Sequence, residues 1–167
     1  MQARVPSNAA LASAWLLCLA VLAASGCNAR PSTPEELFAQ VAAYNESGQT
    51  VRIWELLTED RRSREVKAID AYRSWLRKNP SPEELTRQFN STREEFMTLP
   101  YAELYRRENL GRERALVEAR IIDRSPDPRR PGDEVLTIQP PAGPRVYMRV
   151  RKAGGGWELD DVMVESK

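Results

Sequence analysis

The feature that most constrains this chain is a single change of period. Up to about Asn109, apolar residues recur every three or four positions; from about Arg114 onward they recur at every second position. The first spacing gathers side chains on one face of a helix, and the second gathers them on one face of a strand. A chain that makes this change once, helices first and strands after, predicts an α+β fold. Its helices, 33–109, would pack on one face of a four-stranded antiparallel sheet, 114–165.

The helical part begins with strong start chemistry. Thr33-Pro34-Glu35-Glu36 supplies a threonine N-cap, a proline at the first helical position and a glutamate three residues after the cap to close a capping box. Leu37, Val41 and Tyr44 then share a face, and Gly48 is the expected stop. A short helix over 51–57 aligns Val51, Trp54 and Leu57. A longer one over 59–78 carries Val66, Ile69, Tyr72 and Leu76 as its apolar stripe. Asn79-Pro80 breaks that helix, and Ser81-Pro82-Glu83-Glu84-Leu85 starts another with the same chemistry. Phe89, Phe96, Met97, Leu99, Tyr101, Leu104 and Tyr105 continue the apolar supply, with a break at Pro100. The charges between them, Arg61, Arg62, Arg64 and Lys67 against Glu59, Asp60, Glu65 and Asp70, are expected to form a solvated helix face.

Alternation from Ala115 to Ile122 predicts the first strand, and Ser125 to Asp133, rich in proline, predicts a solvent loop. Leu136 and Ile138 mark a second strand, and Val146, Met148 and Val150 a third. A fourth begins at Trp157, after Gly154-Gly155-Gly156. The last hairpin tests itself, because facing residues should match. Turning about 153–156 sets Arg151 against Glu158, Val150 against Leu159 and Arg149 against Asp160, but then Met148 meets Asp161. One extra residue at Asp160-Asp161, a β-bulge, restores the match: Met148 faces Val162, Val146 faces Val164 and Arg145 faces Glu165. The predicted apolar face is Val146, Met148, Val150, Trp157, Leu159, Val162 and Val164. Bulge residues often point to solvent, and that is the expectation for the aspartates.

Composition removes several functions. With 25 basic residues against 24 acidic, the chain has no cationic surplus for a nucleic-acid backbone. It has no histidine, and so lacks the commonest general base and the commonest metal ligand together. No acidic cluster has the spacing of a calcium loop, and no glycine-rich loop opens a helix to cradle a phosphate. No metal and no cofactor is expected.

The amino terminus reads as an address. One positive charge, Arg4, is followed by an uncharged run from Ala9 to Ala24, short for a membrane span; the small residues Ala24-Ser25-Gly26 then lead into Cys27. An uncleaved anchor helix over about 9–26 is the competing reading of the same run. The stretch resembles a bacterial lipoprotein signal, departing from it in having Ala24 where leucine is usual. The resemblance implies cleavage between Gly26 and Cys27 and a diacylglyceryl cysteine carrying palmitate at position 27. The organisation is then a signal peptide 1–26, a lipidated tether 27–32 and one domain 33–167. Asn28 in place of aspartate implies the outer membrane, facing the periplasm, or the cell membrane if there is no outer one. The leader takes Arg4 and Cys18 with it, and the remainder is neutral. With its one cysteine in a thioether, no disulfide or free thiolate is left.

Helices followed by an antiparallel sheet that ends in Gly155-Gly156-Trp157-Glu158-Leu159-Asp160-Asp161-Val162 resemble the nuclear transport factor 2-like, or cystatin-like, α+β cone families. That resemblance implies a pocket between sheet and helices, catalytic in some members and only a binding cavity in others. The expected function is a non-enzymatic envelope lipoprotein that binds a small apolar ligand, a peptide or an envelope protein. Trp54, Tyr72, Trp75, Tyr101, Tyr105 and Trp157 are the candidate pocket residues. The alternative is an isomerase or cyclase with Asp123, Asp160 or Asp161 as base and Tyr72 or Tyr105 as oxyanion partner.

Overall fold

The computed structural model describes residues 30–79 and 89–165. Cys27, Gly26 and the expected helix start at Ser81 lie outside the described residues. Helices α1 (Pro34–Glu46), α2 (Ile53–Leu56), α3 (Glu59–Lys78), α4 (Arg93–Thr98) and α5 (Tyr101–Arg114) precede strands β1 (Arg120–Pro126), β2 (Asp133–Gln139), β3 (Val146–Ala153) and β4 (Gly156–Val164). The fold is α+β, and the sheet is an antiparallel meander in the order β1-β2-β3-β4.

Local chemistry sets the helix ends. Thr33 Oγ1 accepts from the Glu36 amide as expected, but the Glu36 carboxylate reaches past the cap to the amide and hydroxyl of Ser32. A complete capping box forms instead at Thr92 and Glu95. Two arginines cap each other's helices. Arg73 of α3 donates to the carbonyls of Phe96 and Leu99 at the end of α4, and Arg93 of α4 donates to the Leu76 carbonyl at the end of α3. Each satisfies carbonyls that a helix terminus leaves without partners.

Several boundaries differ from the sequence expectation. α5 runs past Asn109 to Arg114, so 115–118 must reverse the chain, with Glu118 at φ 58°, and β1 starts only at Arg120. Leu116 still enters the core, from this turn rather than from a strand. The first of the expected short-helix residues, Val51, is 42% exposed, because 50–52 forms a 3₁₀ turn that aims Ile53 inward in its place. The loop expected from Ser125 shrinks to 127–132, since β1 continues to Pro126 and β2 opens at Asp133.

The final hairpin keeps the expected register except at Arg149. Arg151 pairs with Glu158 and Val150 with Leu159; the ladder shifts between Val150 and Arg149, one step earlier than expected, so Arg149 pairs with Asp161 rather than with Asp160, and Met148 then meets Val162 and Val146 meets Val164. Glu165 donates its amide to Arg145. The apolar face is buried except at its end, where Val164 is 40% exposed.

The core has two parts. Leu37, Val41, Ile53, Leu57, Tyr105 and Leu116 pack on the sheet residues Leu136, Ile138, Val146, Met148, Val150 and Leu159. Ile69, Leu76, Phe89, Phe96 and Leu104 form a second cluster, against which Tyr72, Met97, Leu99 and Tyr101 pack.

The outer edge of β4 is partly covered. Thr58 donates its amide to the Leu159 carbonyl, and Leu57 forms an isolated parallel bridge with Leu159. Nearer the β3–β4 turn, the Trp157 amide donates to the Pro31 carbonyl, Arg30 donates to the Ala153 carbonyl at 3.2 Å, and Arg30 pairs with Glu158 at 2.5 Å. The expected tether is therefore docked from Arg30 onward. A side chain at Gly156 would meet Arg30 Cβ at 2.4 Å and the Pro31 carbonyl at 2.9 Å, so glycine is what lets this strap lie against the strand.

Phe96 is fully buried at the centre of the second cluster, in edge contact with Tyr72 and Phe89. Phe96→Ala is expected to cost about 3–5 kcal/mol in urea unfolding. Trp75→Ala, which loses little more than a tilted contact with Tyr72, should cost no more than about 1.5 kcal/mol.

Candidate functional site

The six candidate pocket residues divide between the two clusters. Trp54, Tyr105 and Trp157 belong to the first, where Trp54 meets Tyr105 edge-on at 5.6 Å. Tyr72 and Tyr101 belong to the second, and Trp75, 42% exposed, lies against Tyr72. Five of them pack against the core in two groups, Trp75 stays at the surface, and the six do not converge on one ligand. Tyr101 donates its hydroxyl to Asp70 at 2.8 Å.

The charges that the sequence suggested were solvated make the most organised polar site. The bulge sets two successive aspartates against Arg149, and the first of them turns inward. Asp160 is 0% exposed, contrary to the expectation that it faces solvent. Its Oδ1 accepts from the Thr58 hydroxyl and from Arg64, each at 3.1 Å; its Oδ2 accepts from Arg130 at 2.6 Å, and Arg149 stands 3.7 Å away. The guanidiniums come from α3, the 127–132 turn and β3. The reason is energetic, because an ionised carboxylate so far from water is tolerated only when paired and hydrogen-bonded.

Neighbouring pairs extend the seam. Arg149 holds Asp127, whose other oxygen accepts from the Arg129 amide. Arg151 joins Asp133 at 2.9 Å to Asp60 of α3 at 2.7 Å. Arg61 bridges Asp161 at 3.0 Å and Glu65 at 2.6 Å, its Nε buried without a hydrogen-bond partner. The sequence signal for this seam was the run Asp160-Asp161 opposite arginines; what it lacked was the contribution of Arg61, Arg64 and Arg130.

Electrostatics distinguish two carboxylates. Burial alone would raise the Asp160 pKa, but the Arg64 and Arg130 guanidiniums and the Thr58 hydroxyl outweigh it and hold the group below the usual aspartate range. A general base works best with a pKa near the operating pH, so Asp160 in this setting is a poor one. Neither Tyr72 nor Tyr105 is among its partners, and Asp123 lies exposed on β1. Glu65 goes the other way. Its burial raises the pKa, with Glu108 and Asp161 adding to the rise, against the pull of Arg61 and Arg64.

Two surface depressions stand out. One, of about 320 Å³, is lined by Asn90, Glu95, Arg106 and Arg107. The other, of about 380 Å³, lies beside the seam and is lined by Arg61, Asp161, Val162, Met163 and Val164. It borders the uncovered end of β4. Glu165 turns its amide toward β3, so by alternation Val164 turns its amide and carbonyl outward, as Val162 does; the Val162 amide is capped by the Asp161 carboxylate. Among the described residues, no strand pairs with this edge. The other free edge, on β1, carries Arg120, Asp123 and Arg124 and is interrupted at Ile122 by a bulge, the usual protection against unwanted pairing. Beyond the Asp161 carboxylate, the end of β4 carries no charge and no bulge at Val162–Val164. Among the described residues, no three His, Cys, Asp or Glu side chains gather to hold a metal ion, and no helix is long and apolar enough to cross a membrane.

The two carboxylates give opposite pH signatures. Asp160 has a lowered folded-state pKa, so its stabilisation is present above the unfolded value and is lost as pH falls through the folded one. Asp160→Asn should cost about 1.5–3 kcal/mol at pH 7 by weakening the bonds to Thr58, Arg64 and Arg130; the two guanidiniums reach water, and Arg149 keeps Asp127. That deficit should shrink below about pH 4. Glu65 binds its proton more tightly when folded, so it lowers stability as pH rises, and Glu65→Gln should gain on the parent protein between pH 4 and pH 8. Urea midpoints across that range check both. Compared with family models, with curated proteins and with solved structures, the chain finds no match.

Proposed function

We propose that this chain is a lipid-anchored, non-enzymatic protein of the bacterial envelope. Diacylated Cys27 holds it in the membrane, on the periplasmic face of the outer membrane where there is one, and its domain binds an extended segment of a peptide or envelope protein along the end of β4. The observation that carries the binding half is the unpaired end of β4, where the Val162 carbonyl and the Val164 amide and carbonyl face outward beside the exposed Met163 and Val164, with the Arg61–Asp161 pair at its rim. Backbone donors and acceptors in a row recruit a strand, and the adjoining depression takes its alternate side chains. The peptide reading is preferred over a small apolar ligand because five of the six candidate aromatic residues are spent on the two core clusters and the sixth, Trp75, lies on the surface against Tyr72. The anchor half rests on the sequence around Cys27, to which the docked strap at Arg30 adds that the folded domain follows closely.

Each half has its own measurement. Cys27→Ser should abolish signal processing and release the protein from the membrane fraction; an unchanged mature mass and distribution would remove the anchor. A photo-crosslinking amino acid at Met163 should give adducts with one envelope protein in living cells, identified by mass spectrometry. Adducts at Met163 no stronger than those from Ile122, on the protected β1 edge, would remove the binding site.

A further inference from the structure

We propose that the Arg30–Pro31 strap orients the domain on its membrane, holding the end of the sheet that carries both hairpin turns against anionic phospholipid headgroups. This rests on the acylation of Cys27 proposed above. The two turns, 127–132 and 153–156, lie at the same end, because Asp133 at the start of β2 pairs with Arg151 at the end of β3. The strap reaches that end. Going back from α1, Pro31 is bonded to Trp157, and Arg30 lies against Gly156 and Gly154, bonded to Ala153 and paired with Glu158. Cys27 is three residues before Arg30, so its sulfur is at most about 11 Å of chain from this anchorage. A free tether of that length would still let a domain roll; a strap bonded at both its residues removes most of that freedom.

The charge at this end fits the surface it would meet. Lys152 and Arg129 are both exposed there, and among the described residues neither has an acidic partner. Attraction between exposed charges is screened beyond about 8 Å at physiological salt, so these two cations act on headgroup phosphates only when this end of the sheet faces the bilayer. The neighbouring cations Arg130, Arg149 and Arg151 are already committed to Asp160, Asp127 and Asp133. β4, of nine residues, rises roughly 27 Å, which carries Val162–Val164 away from the bilayer.

The test uses the mature lipidated protein reconstituted in vesicles of phosphatidylethanolamine and phosphatidylglycerol. With Cys27 in a thioether, a cysteine introduced at Pro128, in the first turn, or at Ala142, between β2 and β3 at the opposite end, is the one thiol to label. A headgroup-bound quencher should quench a fluorophore at 128 several-fold more than at 142. Gly156→Val, which has no room beside Arg30, should bring the two values together. Arg30→Ala, which removes the Glu158 pair without adding volume, should act in the same direction if the valine variant fails to fold. Arg129→Glu with Lys152→Glu should lower the ratio; an unchanged ratio overturns the headgroup contact. Equal quenching in the parent protein, or more at 142, overturns the orientation while flotation with the vesicles leaves the anchor standing. Protein that does not float and has an unacylated amino terminus removes the anchor and this inference with it.

Discussion

The buried carboxylate of Asp160 is the constraint around which the polar half of the molecule is arranged. It needs cations, and they arrive from three separate segments: Arg64 on α3, Arg130 in the first hairpin turn and Arg149 on β3. Each arginine ties its own segment to the edge strand. The longest helix is thereby fixed to the sheet by ions, since its own buried apolar residues, Ile69 and Leu76, belong to the second cluster, and the Thr58 hydroxyl, which caps α3, serves the same carboxylate. A buried ion network of this kind contributes little net stability compared with apolar packing; its value lies in having only one arrangement that satisfies every member.

Sheet edges explain the rest of the surface. β1 is charged and bulged, and β4 is covered in sequence by Pro31, just before α1, and by Leu57–Thr58, just before α3. Coverage stops at the bulge, and beyond it Val162, Met163 and Val164 continue an edge that the described residues do not pair. The same extra residue that turns Asp160 inward therefore also divides the strand into a covered half and an open one.

Much of this was legible in the sequence. The fold class, the span of α3 and the presence of a bulge in the last hairpin follow from spacing and from matching polarity; which aspartate faces Arg149 does not, since the sequence favours Asp160 and the ladder pairs Asp161. The site was less legible. Asp160 and Asp161 are chemically identical neighbours, and only three-dimensional context decides that one is buried under guanidiniums while the other reaches Arg61. The candidate aromatics had the right chemistry for a pocket and also for a core, and no pattern in a single chain separates the two. Boundaries moved where tertiary packing overrode local signals, as when α5 continued through the end of its expected span and displaced the start of β1.

The reciprocal arginines of α3 and α4 have a consequence for how this region comes apart. A helix end normally frays by itself, losing a turn at little cost. Here Arg93 must let go of α3 when α4 unwinds, and Arg73 must let go of α4 when α3 shifts, so loosening either terminus exposes carbonyls on both. Amide exchange in the last turns of these two helices is accordingly a shared event, governed by one opening equilibrium.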